Sequence, residues 1–175
     1  MYKFKNNINS FILPVAIILS LSLTRLIPHP WNFTPMLAVG IFSGFYFKQF
    51  YLGLFIVIVS MFLGDLYLGF HSTMFFTYIS LAIAVGSGVL IKHFKFTEIL
   101  VTGLTSSICF FLITNFGAWL TLEMYEKNLA GLISSYTLAI PFFHNTLIST
   151  ILYLLLIKIL FNNILNKEKI VKKAV

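Results

Sequence analysis

A chain of 175 residues that is 59% hydrophobic and only 10% charged has too little polar side chain to coat a water-soluble domain of its size. A net charge of +7 would suit nucleic acid on a soluble surface, but the basic residues sit in short runs between apolar stretches. These features exclude a soluble domain and a nucleic-acid binder. They leave an all-α integral membrane protein, read as one transmembrane domain over residues 1–175.

Met1–Asn9 is a short basic lead. No small-x-small cleavage site precedes Arg25, so the first apolar stretch reads as a retained helix. Six apolar segments follow in order: Ser10–Ile27, Pro35–Phe47, Phe50–Leu68, Met74–Ile91, Thr97–Leu120 and Leu138–Phe161. Each is near or approaching the ~20 residues that span a bilayer, the second being short. With a cytoplasmic amino terminus, the inner side receives Lys3, Lys5, Lys48, Lys92, Lys95, Lys158, Lys167, Lys169, Lys172 and Lys173, and only Arg25 and Lys127 stay outside. That bias predicts six membrane helices with both termini in the cytoplasm, in a multi-pass protein of the inner (cytoplasmic) membrane. The basic tail then anchors at the membrane surface.

Along the first segment Ala16, Ser20 and Thr24 recur every four residues, a small-residue stripe that lets a helix approach closely, either within this protein or from a membrane partner. The chain then crosses a stiff loop with His29, Trp31 and Asn32, where Thr34 can cap and Pro35 can open the second helix. Gly40 and Gly44 stand at GxxxG spacing, and Gly86-Ser87-Gly88 marks a second site of close packing. The two-residue turn Lys48-Gln49 makes segments two and three antiparallel neighbours. Asp65, one turn from the end of segment three, needs a partner; Arg25 at the same level forms an ion pair with it, unless both contact a ligand. His71 in the next loop is an exposed side chain or a ligating imidazole. Thr97-Glu98 starts segment five with a cap and an acid in the first turn, and Cys109, in the middle of an apolar run, reads as a buried packing thiol in preference to a reactive or ligating one.

Asn115 and Trp119 share one helical face near the outer end of segment five, with Trp119 either an interfacial belt residue or a pocket wall. Leu122–Tyr136 has the spacing of an amphipathic helix on the outer surface, and His144-Asn145 follow just inside segment six. The polar residues therefore gather at the outer side, whereas proton- or ion-coupled transport would place acids near the midplane. A blind, outward-facing cup follows, with Asn32, His71, Asn115, Trp119, His144 and Asn145 as the substrate-binding set and Arg25–Asp65 as a structural pair. No catalytic residue and no cofactor are expected. A membrane enzyme acting at the same cluster and a structural membrane subunit stay open as alternatives, although no HExxH, Ser-His-Asp order or phosphate-cradling glycine loop is present.

The runs PHPWNFTPMLAVGIFSGFYF, GDLYLGFHSTM, ITNFGAWL and IPFFHNTL resemble a bacterial family of small six-helix proteins. That family is similar to the substrate-binding S-components of energy-coupling-factor (ECF) vitamin transporters, especially the solitary cobalamin S-components called BtuM. The resemblance spans nearly the whole chain. It implies an S-component-like bundle that captures a vitamin such as cobalamin at the outer face and delivers it by toppling, with or without an ATP-driven ECF-type energising module. Cobalamin S-components ligate cobalt with a cysteine near the end of the third helix. This sequence has none there, and His71 is the nearest ligand-bearing residue if the substrate is a corrinoid.

Overall fold

The computed structural model describes residues 8–173. Lys3 and Lys5 of the basic lead lie outside the described residues, as do the side chains of Lys167, Lys169, Lys172 and Lys173 in the basic tail. Among the described residues the fold is six α-helices with no strand: α1 (Ile8–Leu23), α2 (Met36–Phe47), α3 (Phe50–Leu68), α4 (Met74–Leu90), α5 (Phe96–Thr121) and α6 (Leu129–Lys173), with a 3-10 turn at Thr24–Leu26. The spans Phe50–Leu68, Phe96–Thr121 and Leu129–Asn163 are long and apolar enough to cross a membrane, while α2 and α4 are shorter apolar helices. The architecture is compatible with a membrane protein.

α2 is the axis of the bundle. It packs against each of the other five helices, and all of its residues except Tyr46 are buried. Its closest neighbour is α4, and glycine on both helices is the reason. A Cβ on Gly44 would lie 2.0 Å from the Val85 carbonyl oxygen, and a Cβ on Gly88 would lie 2.0 Å from the Ile41 carbonyl oxygen. The two backbones thus touch directly, so the close approach read from the glycine spacing has α4 as its partner. Gly86 has room to spare, its nearest neighbour being Phe50 at 3.7 Å.

The end of the bundle that carries the Lys48 and Lys92–Lys95 turns, the basic end, is closed by aromatic rings. Phe45 stacks on Phe94 at 4.6 Å, and Phe161 meets Phe42 edge-on at 5.7 Å. Lys48 ends α2 in a left-handed conformation (φ 54°) and turns its ammonium onto the Val89 and Ile91 carbonyls that end α4. Lysine there satisfies carbonyls that no later turn can reach. Burial holds Lys48 below the ordinary lysine range, opposed by the charge of Glu98. Lys158 likewise donates to the Phe94 carbonyl.

Three local expectations change. Thr34 does not cap α2: Pro35 holds the cap position and its carbonyl accepts from Val39 N–H at 2.8 Å. Thr97 does not cap α5, whose cap position is Lys95; Glu98 instead reaches back to accept from His93 N–H at 3.0 Å. Leu122–Tyr136 is not a separate surface helix. Its first part is a loop, and from Leu129 onward it forms the opening turns of α6, which continues through Pro141. Asn128 starts that helix by accepting from Gly131 N–H at 2.9 Å, and Tyr136 O–H donates to the Leu112 carbonyl of α5. α6 runs on through Pro141 although an interior proline removes one helical N–H and crowds the carbonyl four residues earlier.

Candidate functional site

The opposite end of the bundle, the polar end, is organised by Asp65. Its carboxylate is only 1% exposed and is held from two sides. Arg25 Nη2 donates to Oδ1 at 2.9 Å, and Tyr78 O–H donates to Oδ2 at 2.8 Å. Arg25 Nη1 also donates to the Met61 carbonyl at 3.2 Å. The guanidinium crosses α3 at Gly64, where a Cβ would stand 2.7 Å from Nη1. The glycine before Asp65 thus makes room for the arginine that neutralises it. This network ties the turn that follows α1 to α3 and α4. Tyr78 escaped the sequence reading; the signal was a hydroxyl inside an apolar helix near a carboxylate with oxygens to satisfy.

The loop between α1 and α2 is a built feature. Pro30 accepts from Phe33 N–H at 3.0 Å, closing a turn in which Asn32 has φ 59°, a conformation that asparagine tolerates better than most residues. Asn32 therefore shapes the turn. Asn145 of α6 donates from Nδ2 to the Trp31 carbonyl at 2.9 Å, and Phe33 packs against Tyr153 at 6.3 Å between centroids. The Trp31 side chain is left 79% exposed. His144, beside Asn145 on α6, is also exposed.

The remaining candidates have local partners. His71 pairs through Nδ1 with Thr73 Oγ1 at 2.9 Å in the exposed α3–α4 loop. Asn115 Nδ2 donates to Phe111 in its own helix, and Trp119 Nε1 donates to the Glu126 carbonyl in the α5–α6 loop. Lys127 donates to the Trp119 and Leu122 carbonyls and so finishes α5. Of the six candidates, Asn145 is bonded to the α1–α2 loop that Asn32 shapes, and His71, Asn115 and Trp119 are not hydrogen-bonded to it. They also stand at different heights. Trp119 and His71 belong to the rim, while Asn145 lies roughly four turns into α6 from Leu129. Among the described residues no group of three or more His, Cys, Asp or Glu side chains is placed to hold a metal ion.

The model of a family described as "Family of unknown function (DUF6580)" matches residues 5–172, and the chain belongs to that family. No curated protein and no solved structure matches it.

Proposed function

We propose that this member of the family crosses the membrane six times with both termini cytoplasmic, and that its polar end captures a vitamin-sized, ring-containing molecule, cobalamin or a related compound, from outside. The observation that carries the reading is the depth of the α1–α2 loop. α2 has 12 residues and so rises only about 18 Å against a hydrocarbon core of about 30 Å. Trp31 and Phe33 meet α6 at Asn145 and Tyr153, well inside its apolar span. Irregular backbone at such depth is tolerated only where protein buries it or water reaches it. Leu26–Asn32 are exposed, which favours water and hence a recess. The open face of Trp31 would give a ring-shaped ligand an apolar platform beside amide and imidazole groups.

The closed basic end fits a vessel without its own exit, so inward release needs a partner. Ala16 and Ser20 are exposed, with Ile18 and Leu21 buried on the other side of α1. Two of the three positions of the small-residue stripe thus face away from the bundle, Thr24 being half-buried, and offer a surface on which an ECF-type energising module can pack. If the ligand is a corrinoid, the tautomer with Nδ1–H of His71 donating to Thr73 Oγ1 would leave Nε2 for the cobalt, as an outer hydrogen bond commonly does for a ligating imidazole.

Two measurements test this. With Cys109→Ser as background, Lys127→Cys and Lys92→Cys are expected to be labelled from opposite sides of the membrane, and labelling from the same side overturns the topology. Purified protein is expected to bind cobalamin or another vitamin without turning it over. Trp31→Ala, His71→Ala and Asn115→Ala should each weaken binding on the order of tenfold, the effect of losing about 1.4 kcal/mol. Affinity unchanged in all three moves the pocket elsewhere, failure of every vitamin to bind overturns the capture reading, and product formation favours an enzyme.

A further inference from the structure

We infer that a cleft between α4 and α5 at the basic end holds an acyl chain of an anionic phospholipid whose phosphate is met by Lys92 and Lys95. The inference rests on the membrane reading above, which puts this end at the cytoplasmic leaflet. The cleft has a volume of about 410 Å3 and lies between the last turn of α4 and the first turns of α5. Leu90, Ile91 and Val101 give it apolar walls, joined by Thr97 and Thr102. Ser87, itself in the lining, bridges to Ser106 of α5 with the two hydroxyls 3.1 Å apart. The cleft is open along its outer side, where Leu90 and Val101 are exposed, and hydrocarbon is the filling that a bilayer supplies to such a groove.

Charge at the mouth selects the headgroup. The turn that joins the two walls carries Lys92 and Lys95, both exposed. Lys48 and Lys158 at the same end are committed to backbone carbonyls, whereas the side-chain ammonium groups of Lys92 and Lys95 make no hydrogen bond or ion pair among the described residues. Glu98, the carboxylate in the lining, is engaged by the His93 N–H. Two uncommitted ammonium groups therefore belong to the turn that joins the two walls of a mostly apolar cleft, the complement of a phosphate joined to an acyl chain. A choline headgroup would bring its own cation against them.

The test equilibrates the full chain in micelles holding equal phosphatidylglycerol and phosphatidylcholine and reads retained lipid by native mass spectrometry. Phosphatidylglycerol is expected to be retained with several-fold enrichment. The pair Lys92→Gln/Lys95→Gln should abolish the enrichment, and so should Thr102→Trp, which fills the cleft and leaves both lysines in place. Val101→Phe serves the same purpose should Thr102→Trp fail to fold, as judged by circular dichroism and a monodisperse elution profile. Equal retention of the two lipids overturns the inference, as does enrichment that survives filling of the cleft. Displacement by glycerol 1-phosphate overturns it too, because the chain would then contribute nothing. Release of the protein from membranes by alkaline carbonate overturns the membrane reading itself, whereas retention in the membrane without lipid preference overturns the lipid site alone.

Discussion

Alanine at Gly44 or at Gly88 is expected to destabilise the protein by about 3 kcal/mol or more, the upper part of the range for overpacked cores. Two effects oppose each other. Alanine is the better helix former by up to about 1 kcal/mol in a helix interior. Against that, the added methyl would sit 2.0 Å from a backbone carbonyl oxygen, Val85 in one case and Ile41 in the other, with more Val85 or Ile41 backbone within about 3 Å. A flexible side chain could swing aside, but a carbonyl in mid-helix moves only with its helix. α2 would have to withdraw from α4, although it also packs against α1, α3, α5 and α6. Gly86→Ala is the control, since its Cβ would meet only Phe50 at 3.7 Å, and it should fall within about 0.5 kcal/mol of the parent. Combining Gly44→Ala with Gly88→Ala should cost less than the sum, because one displacement of α2 relieves both clashes. Reversible denaturation in mixed micelles measures all four proteins. Parental stability in either single variant would show that the helices do not meet backbone to backbone.

These glycines also show how far the sequence could be read. GxxxG spacing states that a helix is approached closely, and that held; it does not say by which helix, because the spacing at Gly40 and Gly44 and the separate mark at Gly86-Ser87-Gly88 carry no sign that each is the other's partner. α6 was harder. Leu122–Tyr136 reads as a surface helix of its own ahead of segment six, yet the bond from Tyr136 joins Leu112, a partner distant in sequence, and the cap from Asn128 depends on loop conformation. Lys48 and Lys127 were legible as charges that bias topology. Their second role, finishing the carbonyls of α4 and α5, follows from the ordinary affinity of lysine for helix C-termini and was available to a closer reading.

The candidate site was legible as a level and not as a set of directions. Helix ends place Asn115, Trp119, His71 and Asn145 toward one end of the bundle, but the heading of a side chain depends on rotation about each helix and on whichever carbonyl lies nearest. Asn115 spends its amide donor on its own helix, and Trp119 bonds Glu126 in a stretch that reads as surface helix in the sequence and is a loop in the structure. Asn145 reaches Trp31 because the α1–α2 loop descends beside α6, a depth that follows from the shortness of α2.

Removing either member of the Arg25–Asp65 pair should cost about 3–5 kcal/mol, the usual result of leaving one buried charge without the other. Asp65 is 1% exposed and the Arg25 side chain 11%, so water cannot compensate either one. Arg25→Met leaves the carboxylate with the Tyr78 hydroxyl alone, while Asp65→Leu leaves the guanidinium with the Met61 carbonyl and strands the Tyr78 hydroxyl as well. The double variant Arg25→Met/Asp65→Leu removes both charges and should be more stable than either single variant, recovering part of the loss. Tyr78→Phe should cost less, on the order of 1.5–3 kcal/mol for a hydrogen bond to a charged acceptor. Thermal or denaturant unfolding of the four variants gives the coupling energy directly. Strictly additive losses would mean that the two residues act independently, and the closure of the polar end by an ion pair would then have to be abandoned.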